Sequence, residues 1–131
     1  MTVVRRALIL IAAIWAVTGA AAAAEFRSFD QAAFAEAQAE GRPILVEVFA
    51  PWCPVCRAQA PIVRTTAADQ AFANLIVFRI DYDNQRAAWR ALNVRRQSTL
   101  IAYNGARETG RLVAATDPDR IEGLMRSAIA P

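Results

Sequence analysis

Ile44-Leu45-Val46-Glu47-Val48-Phe49-Ala50-Pro51-Trp52-Cys53-Pro54-Val55-Cys56 decides how the rest of the chain is read. Its first six residues are apolar and rich in β-branched side chains, with one acid, Glu47. Such a run reads as a buried central strand, covered on both faces as in a parallel pair. Ala50-Pro51-Trp52 breaks it. A helix is expected from about Cys53 to Ala68. Pro54 suits its first turn, where the missing N–H is not needed, and Pro61 falls mid-helix and should kink it.

Upstream of that stretch, a short first strand is expected over Phe26 to Phe29. Ser28-Phe29-Asp30-Gln31 fits a capping box with Ser28 as the cap. Ala33, Phe34 and Ala37 repeat at helical spacing, which predicts a helix over about Asp30 to Glu40. Gly41 is its stop and Pro43 lies just beyond. Downstream, Asp69 to Asn74 reads as a connector anchored by Phe72. Leu75 to Asp81 reads as a strand and Gln85 to Leu92 as a short helix with Ala88, Trp89 and Leu92 on one face. Thr99 to Tyr103 and Glu108 to Val113 read as two strands joined by the Asn104-Gly105 hairpin turn. Thr116-Asp117-Pro118 opens a last helix whose apolar stripe is Ile121, Leu124, Met125 and Ile129. Trp89 and Tyr103 are expected in the core rather than on a docking surface. The alternating front half implies parallel strands with right-handed crossovers, and the hairpin adds antiparallel strands at one side.

The 131 residues suit a single domain. Its 15 basic residues are all Arg, against 12 acids, and His is absent. Without Lys there is no amine for Schiff-base chemistry. Without His, the commonest general base and metal ligand are missing. Residues 1–24 read as a secretory signal: Arg5 and Arg6, an apolar run from Ala7 to Val17, then Ala22-Ala23-Ala24 as a small-residue cleavage site before Glu25. An uncleaved membrane anchor over residues 7–24 is the alternative, at the short end for a span. Removing residues 1–24 leaves 13 Arg against the same 12 acids, a net charge of +1. Arg95-Arg96 is then the remaining basic pair and has no aromatic cluster beside it, so nucleic-acid binding has no support.

Cys53 and Cys56 are the only cysteines. A structural staple four residues long closes almost no loop and stabilises little. Zinc needs two further ligands that no other Cys or His supplies. Export places the pair where disulfides persist. These arguments favour a redox-active pair. Cys53, at the N-terminal end of a helix, is the expected nucleophile, because the helix dipole favours a thiolate there. Cys56 lies one turn along, in reach to resolve a mixed disulfide. Trp52 and Pro51 are expected to cover the sulfurs. Glu47 is either a proton acceptor for Cys56 through water or an acid exposed or paired with Arg79 on the next strand.

Together these residues resemble the thioredoxin superfamily over nearly the whole of residues 25–131. The resemblance rests on the strand with Glu47, on Trp52-Cys53-Pro54-Val55-Cys56, on Pro61 and on Asn104-Gly105. It implies an α/β, thioredoxin-like fold: a central mixed sheet of four to five strands with helices on both faces. Glu47 takes the place of the family's buried Asp, and Arg79 that of a nearby Lys. Trp52, Pro54, Gln97 and Ser98 are the implied substrate-binding residues. Ser98 stands where the family has a cis-proline. A cis bond there costs about 2.5–4 kcal/mol without proline, so the Gln97–Ser98 bond is either trans, or cis and strained. The Ser98 hydroxyl is a candidate donor to the Cys53 thiolate.

No cofactor beyond the Cys53–Cys56 disulfide and no metal are expected. The compact outline resembles a reductase of protein disulfides working outside the cytosol, in the periplasm, as a monomer. A membrane electron carrier would recharge it. Pro54 resembles the oxidase type, while Val55 stands where strong oxidases often have His. An oxidase or isomerase, and a binding module with a metal or cluster bridged between two chains, are the alternatives.

Overall fold

The computed structural model describes residues 22–131. Nearly all of the expected signal segment, residues 1–24, and of the alternative anchor, lies outside them. The chain runs β1 (Glu25–Ser28), α1 (Gln31–Ala39), β2 (Pro43–Phe49), α2 (Pro54–Ala67), a 3-10 turn (Gln70–Phe72), β3 (Ile76–Asp81), α3 (Arg86–Ala91), β4 (Thr99–Asn104), β5 (Arg107–Val113) and α4 (Pro118–Ile129). The five strands form one sheet in the order β1-β3-β2-β4-β5. β1 and β2 flank β3 in parallel, and β4 is antiparallel to both β2 and β5. This is the expected mixed sheet, with the expected first strand at its edge.

β2 is central and its side chains alternate between two layers. Ile44, Val46 and Val48 join Phe29, Phe34, Phe78, Ile80, Trp89 and Tyr103 on one side. Leu45 joins Val63, Phe72, Leu75, Leu100, Ile121 and Met125 on the other. Trp89 and Tyr103 are both buried, as expected of large aromatic side chains. The indole of Trp89 stacks on Tyr82, 5.0 Å between ring centroids, and its Nε1 donates to the Tyr82 carbonyl.

The cap of α1 is not Ser28. Ser28 still pairs with Arg79 in the sheet, and Phe29 N donates to Arg79 O, so the chain stays extended past it. Asp30 caps instead, its carboxylate accepting from Ala33 N at 2.8 Å. At the other end of α1, Gly41 takes φ +70°. It packs against the hairpin turn, where Gly105 takes φ +58°. α2 runs unbroken through Pro61, which has no N–H to offer the Arg57 carbonyl.

Candidate active site

β2 delivers the chain to the two cysteines. After Phe49, Ala50 is fully buried, and its carbonyl accepts from Cys53 N at 3.1 Å, closing a tight turn over Pro51 and Trp52. That turn leaves Cys53 as the N-cap of α2 with extended φ and ψ. Its sulfur does what a capping oxygen does: it accepts from Cys56 N, at 3.1 Å. Pro54 follows at the first helical position, exposed, where the sequence placed it.

Both cysteines are free thiols, buried in a pocket with Ala50, Phe49, Val55 and Tyr82. Their acidities diverge from an ordinary value of 9.0. Burial pushes the Cys53 thiol up, but hydrogen bonds outweigh it and leave it lowered: from the Cys56 thiol, from the Cys56 and Val55 N–H groups, and from the Gln97 side chain. Burial pushes Cys56 up to about 11, helped by its hydrogen bond to Cys53 and the charge there. One sulfur is held toward its anion and its neighbour toward its thiol.

Trp52 is 55% exposed and forms the outer lip. Its Nε1 donates to both carboxylate oxygens of Asp83, at 2.9 and 3.1 Å, and its ring meets Tyr82 edge-on. An aromatic column, Trp52–Tyr82–Trp89, thus runs from the lip into the core.

Ser98 is buried, and the Gln97–Ser98 bond is trans, since the described residues contain no cis peptide bond. The turn is made with Ser98 at φ +58°. For a residue with a Cβ this left-handed conformation costs about 1–2 kcal/mol. The expected donation from Ser98 to the Cys53 thiolate is not what the structure contains. The hydroxyl donates to the Gln97 carbonyl at 2.6 Å, because the left-handed backbone folds it onto the preceding peptide. On this wall it is the Gln97 side chain that helps to lower the Cys53 thiol. Ser98 N donates to Val48 O, tying the wall to β2.

Glu47 is 2% exposed. It lies directly across from Arg79 in the β2/β3 register, and its Oε2 accepts from Arg79 Nε at 2.9 Å. The reading of Glu47 as paired with Arg79 holds; the reading of it as exposed does not. The guanidinium also lies over the Phe49 ring, 4.0 Å from the centroid. Glu47 Oε1 has no partner. A small cavity of about 160 Å³ opens beside Glu47, bordered by Phe26, Arg64, Val77 and Arg79. Among the described residues no hydrogen bond joins Glu47 to either sulfur.

The structure also brings in residues that the sequence reading passed over: Asp83 and Tyr82 under Trp52, and Gln59 behind the wall. Gln59 had a visible signal. It shares the i, i+4 stripe of Val63 and Ala67, a core-facing position where an amide is out of place.

The thioredoxin family model matches residues 25–127. The crystal structure of Trxlp from Edwardsiella tarda superposes with a TM-score of 0.75 at 38% identity, covering 77% of this chain and 98% of that one. A thioredoxin of Aspergillus fumigatus is 27% identical over 67% of this chain and 80% of its own length. A protein disulfide-isomerase of Neurospora crassa is 36% identical over 52% of this chain and 19% of its own.

Proposed function

We propose, for a chain that belongs to the thioredoxin family and is a thiol–disulfide oxidoreductase, that it is an exported reductase of protein disulfides. The observation that carries the reading is the geometry of the pair: the free Cys53 sulfur caps α2, accepting from Cys56 N at 3.1 Å, with the free Cys56 thiol buried behind it; the acidities, Cys53 lowered and Cys56 raised to about 11, agree with it.

The Cys53 thiolate attacks one sulfur of a substrate disulfide. That S–S bond breaks, the departing substrate thiolate takes a proton, and Cys53 is left in a mixed disulfide. Cys56 then gives up its proton and attacks the Cys53 sulfur. The second substrate thiol leaves and a Cys53–Cys56 disulfide remains, so two electrons have passed to the substrate. Glu47 is the acceptor we assign to the Cys56 proton, reached through water, with its unpartnered Oε1 free to take it. Trp52, Pro54 and Gln97 supply the substrate contacts. A membrane dithiol carrier restores the reduced pair.

The signal-like residues 1–24 support export, with residues 25–131 as the working domain. The isomerase of Neurospora crassa and Pro54 support a second reading, that of an oxidase or isomerase. Equilibrating the pair against glutathione separates the two. A potential near the thioredoxin value of about −270 mV supports the reductase, and one near about −120 mV overturns it. Fractionating cells that express the full chain tests export. Protein beginning at Glu25 outside the cytosol supports it; full-length protein in the cytosol overturns it.

A further inference from the structure

Gln59 is buried on the inner stripe of α2 with Cys56, Val63 and Ala67, at 1% exposure. Its Nε2 donates twice, to Ser98 O at 3.2 Å and to Ala115 O at 2.8 Å. Those carbonyls belong to different loops, one leading into β4 and the other leaving β5. A further bond, Ala114 N to Ser98 O at 2.9 Å, ties the loops together. Ser98 and Ala114 both stand in the left-handed region, at φ +58° and +54°, and neither is glycine. Strained residues of this kind persist only where the surroundings over-determine them. Two of them meet here, and the side chain bonded to both loops is Gln59.

We propose that Gln59 is a positioning residue that locks the Ser98 turn and the Ala114–Ala115 turn into one wall facing Cys53 and Cys56, and so sets how tightly a protein disulfide is held. The bonding pattern argues against a role in stability alone. Gln59 Oε1 is buried with no partner, a cost that an apolar side chain of similar volume would not carry. Removing the amide strands Ala115 O but leaves Ser98 O its bond from Ala114 N, so the two penalties oppose one another. What is lost outright is the tie between α2, which carries the cysteines, and the two loops opposite them. The wall meets the pair at Val48 O, which accepts from Ser98 N at 2.9 Å and from the Cys56 thiol at 3.9 Å. The inference rests on disulfide exchange by this pair and not on the direction of electron flow.

The test compares Gln59→Met with the unaltered protein. Insulin serves as the protein disulfide and dithiobis(nitrobenzoate) as a small one that needs no wall. The inference predicts that KM for insulin rises about 5-fold, the worth of roughly one buried hydrogen bond. It predicts that kcat and the rate with the small disulfide stay within about twofold. An unchanged KM in a folded variant overturns it, as does an equal fall in both rates. An unaltered protein that cannot reduce insulin counts instead against the proposed reductase. Hydrogen exchange in the unaltered protein keeps the question open to disproof if the variant unfolds. Slow exchange of the Gln59 side-chain amide and of Ala114 N–H supports the lock, and exchange as fast as an exposed amide overturns it.

Discussion

The sulfur of Cys53 accepts the backbone N–H of Cys56 at 3.1 Å, so the first cysteine caps the helix that carries the second. The same contact stabilises one thiolate and sets its charge beside the other thiol. The pH dependence of the pair follows. Alkylation tracks the thiolate, so the rate at Cys53 should rise through a midpoint below 9.0. Cys56 should stay inert until the pH nears its own value of about 11. The folded value of Cys56 lies above its unfolded one, so it favours the fold at low pH and loses that contribution as pH rises from 9.0 toward about 11. Iodoacetamide labelling read by peptide mass across pH checks the order; equal reactivity of the two cysteines would contradict it.

Glu47 and Arg79 form a lopsided pair, with the acid buried and the guanidinium 37% exposed. Arg79→Leu leaves a buried carboxylate uncompensated and should cost about 2 kcal/mol near neutral pH, below the full penalty because Arg79 is partly screened. Glu47→Leu removes the charge itself and should cost less. Urea unfolding near neutral pH measures both. A loss for Glu47→Leu as large as that for Arg79→Leu would mean that the packing of the pair, Arg79 over Phe49 included, matters more than the uncompensated charge.

Trp52 is held at the lip by Asp83. Asp83→Ala removes that anchor from a half-exposed indole. Stability should fall by no more than about 1 kcal/mol, while KM for a protein disulfide rises, because the lip loses its fixed orientation. Insulin kinetics set beside thermal unfolding separate the two effects.

Two glycines make a paired test of the hairpin. A Cβ on Gly105 would sit 3.2 Å from Gly41 Cα and 3.3 Å from Gln38 O, backbone atoms that cannot swing away, at φ +58°. Gly105→Ala should destabilise by about 2 kcal/mol or more. A Cβ on Gly123, inside α4, meets nothing within 4 Å. Gly123→Ala should stabilise by about 0.5–1 kcal/mol. Unfolding curves of both variants decide it.

The order of helices and strands along the chain and the place of the cysteines were legible because they rest on local signals. Ile44 to Phe49 could only be a buried strand, Pro54 could only open a helix, and Asn104-Gly105 marked the hairpin. What was not legible depended on partners distant in sequence. Ser98 stood out as a missing proline, but its answer, a trans turn at φ +58°, is held by Gln59, 39 residues away. The cap of α1 was misread because Ser28 fits a capping box locally, and only pairing with β3 keeps it in a strand. Glu47 was ambiguous in sequence, and cross-strand register with Arg79 decided its pairing.

The most direct test of the account is to trap its first intermediate. Cys56→Ala, which removes the resolving thiol, is mixed with insulin, and the product is run on a non-reducing gel and mapped by mass. The account predicts a stable mixed disulfide on Cys53, released by dithiothreitol and absent from a Cys53→Ser variant that still folds. No adduct from a folded Cys56→Ala protein would contradict it.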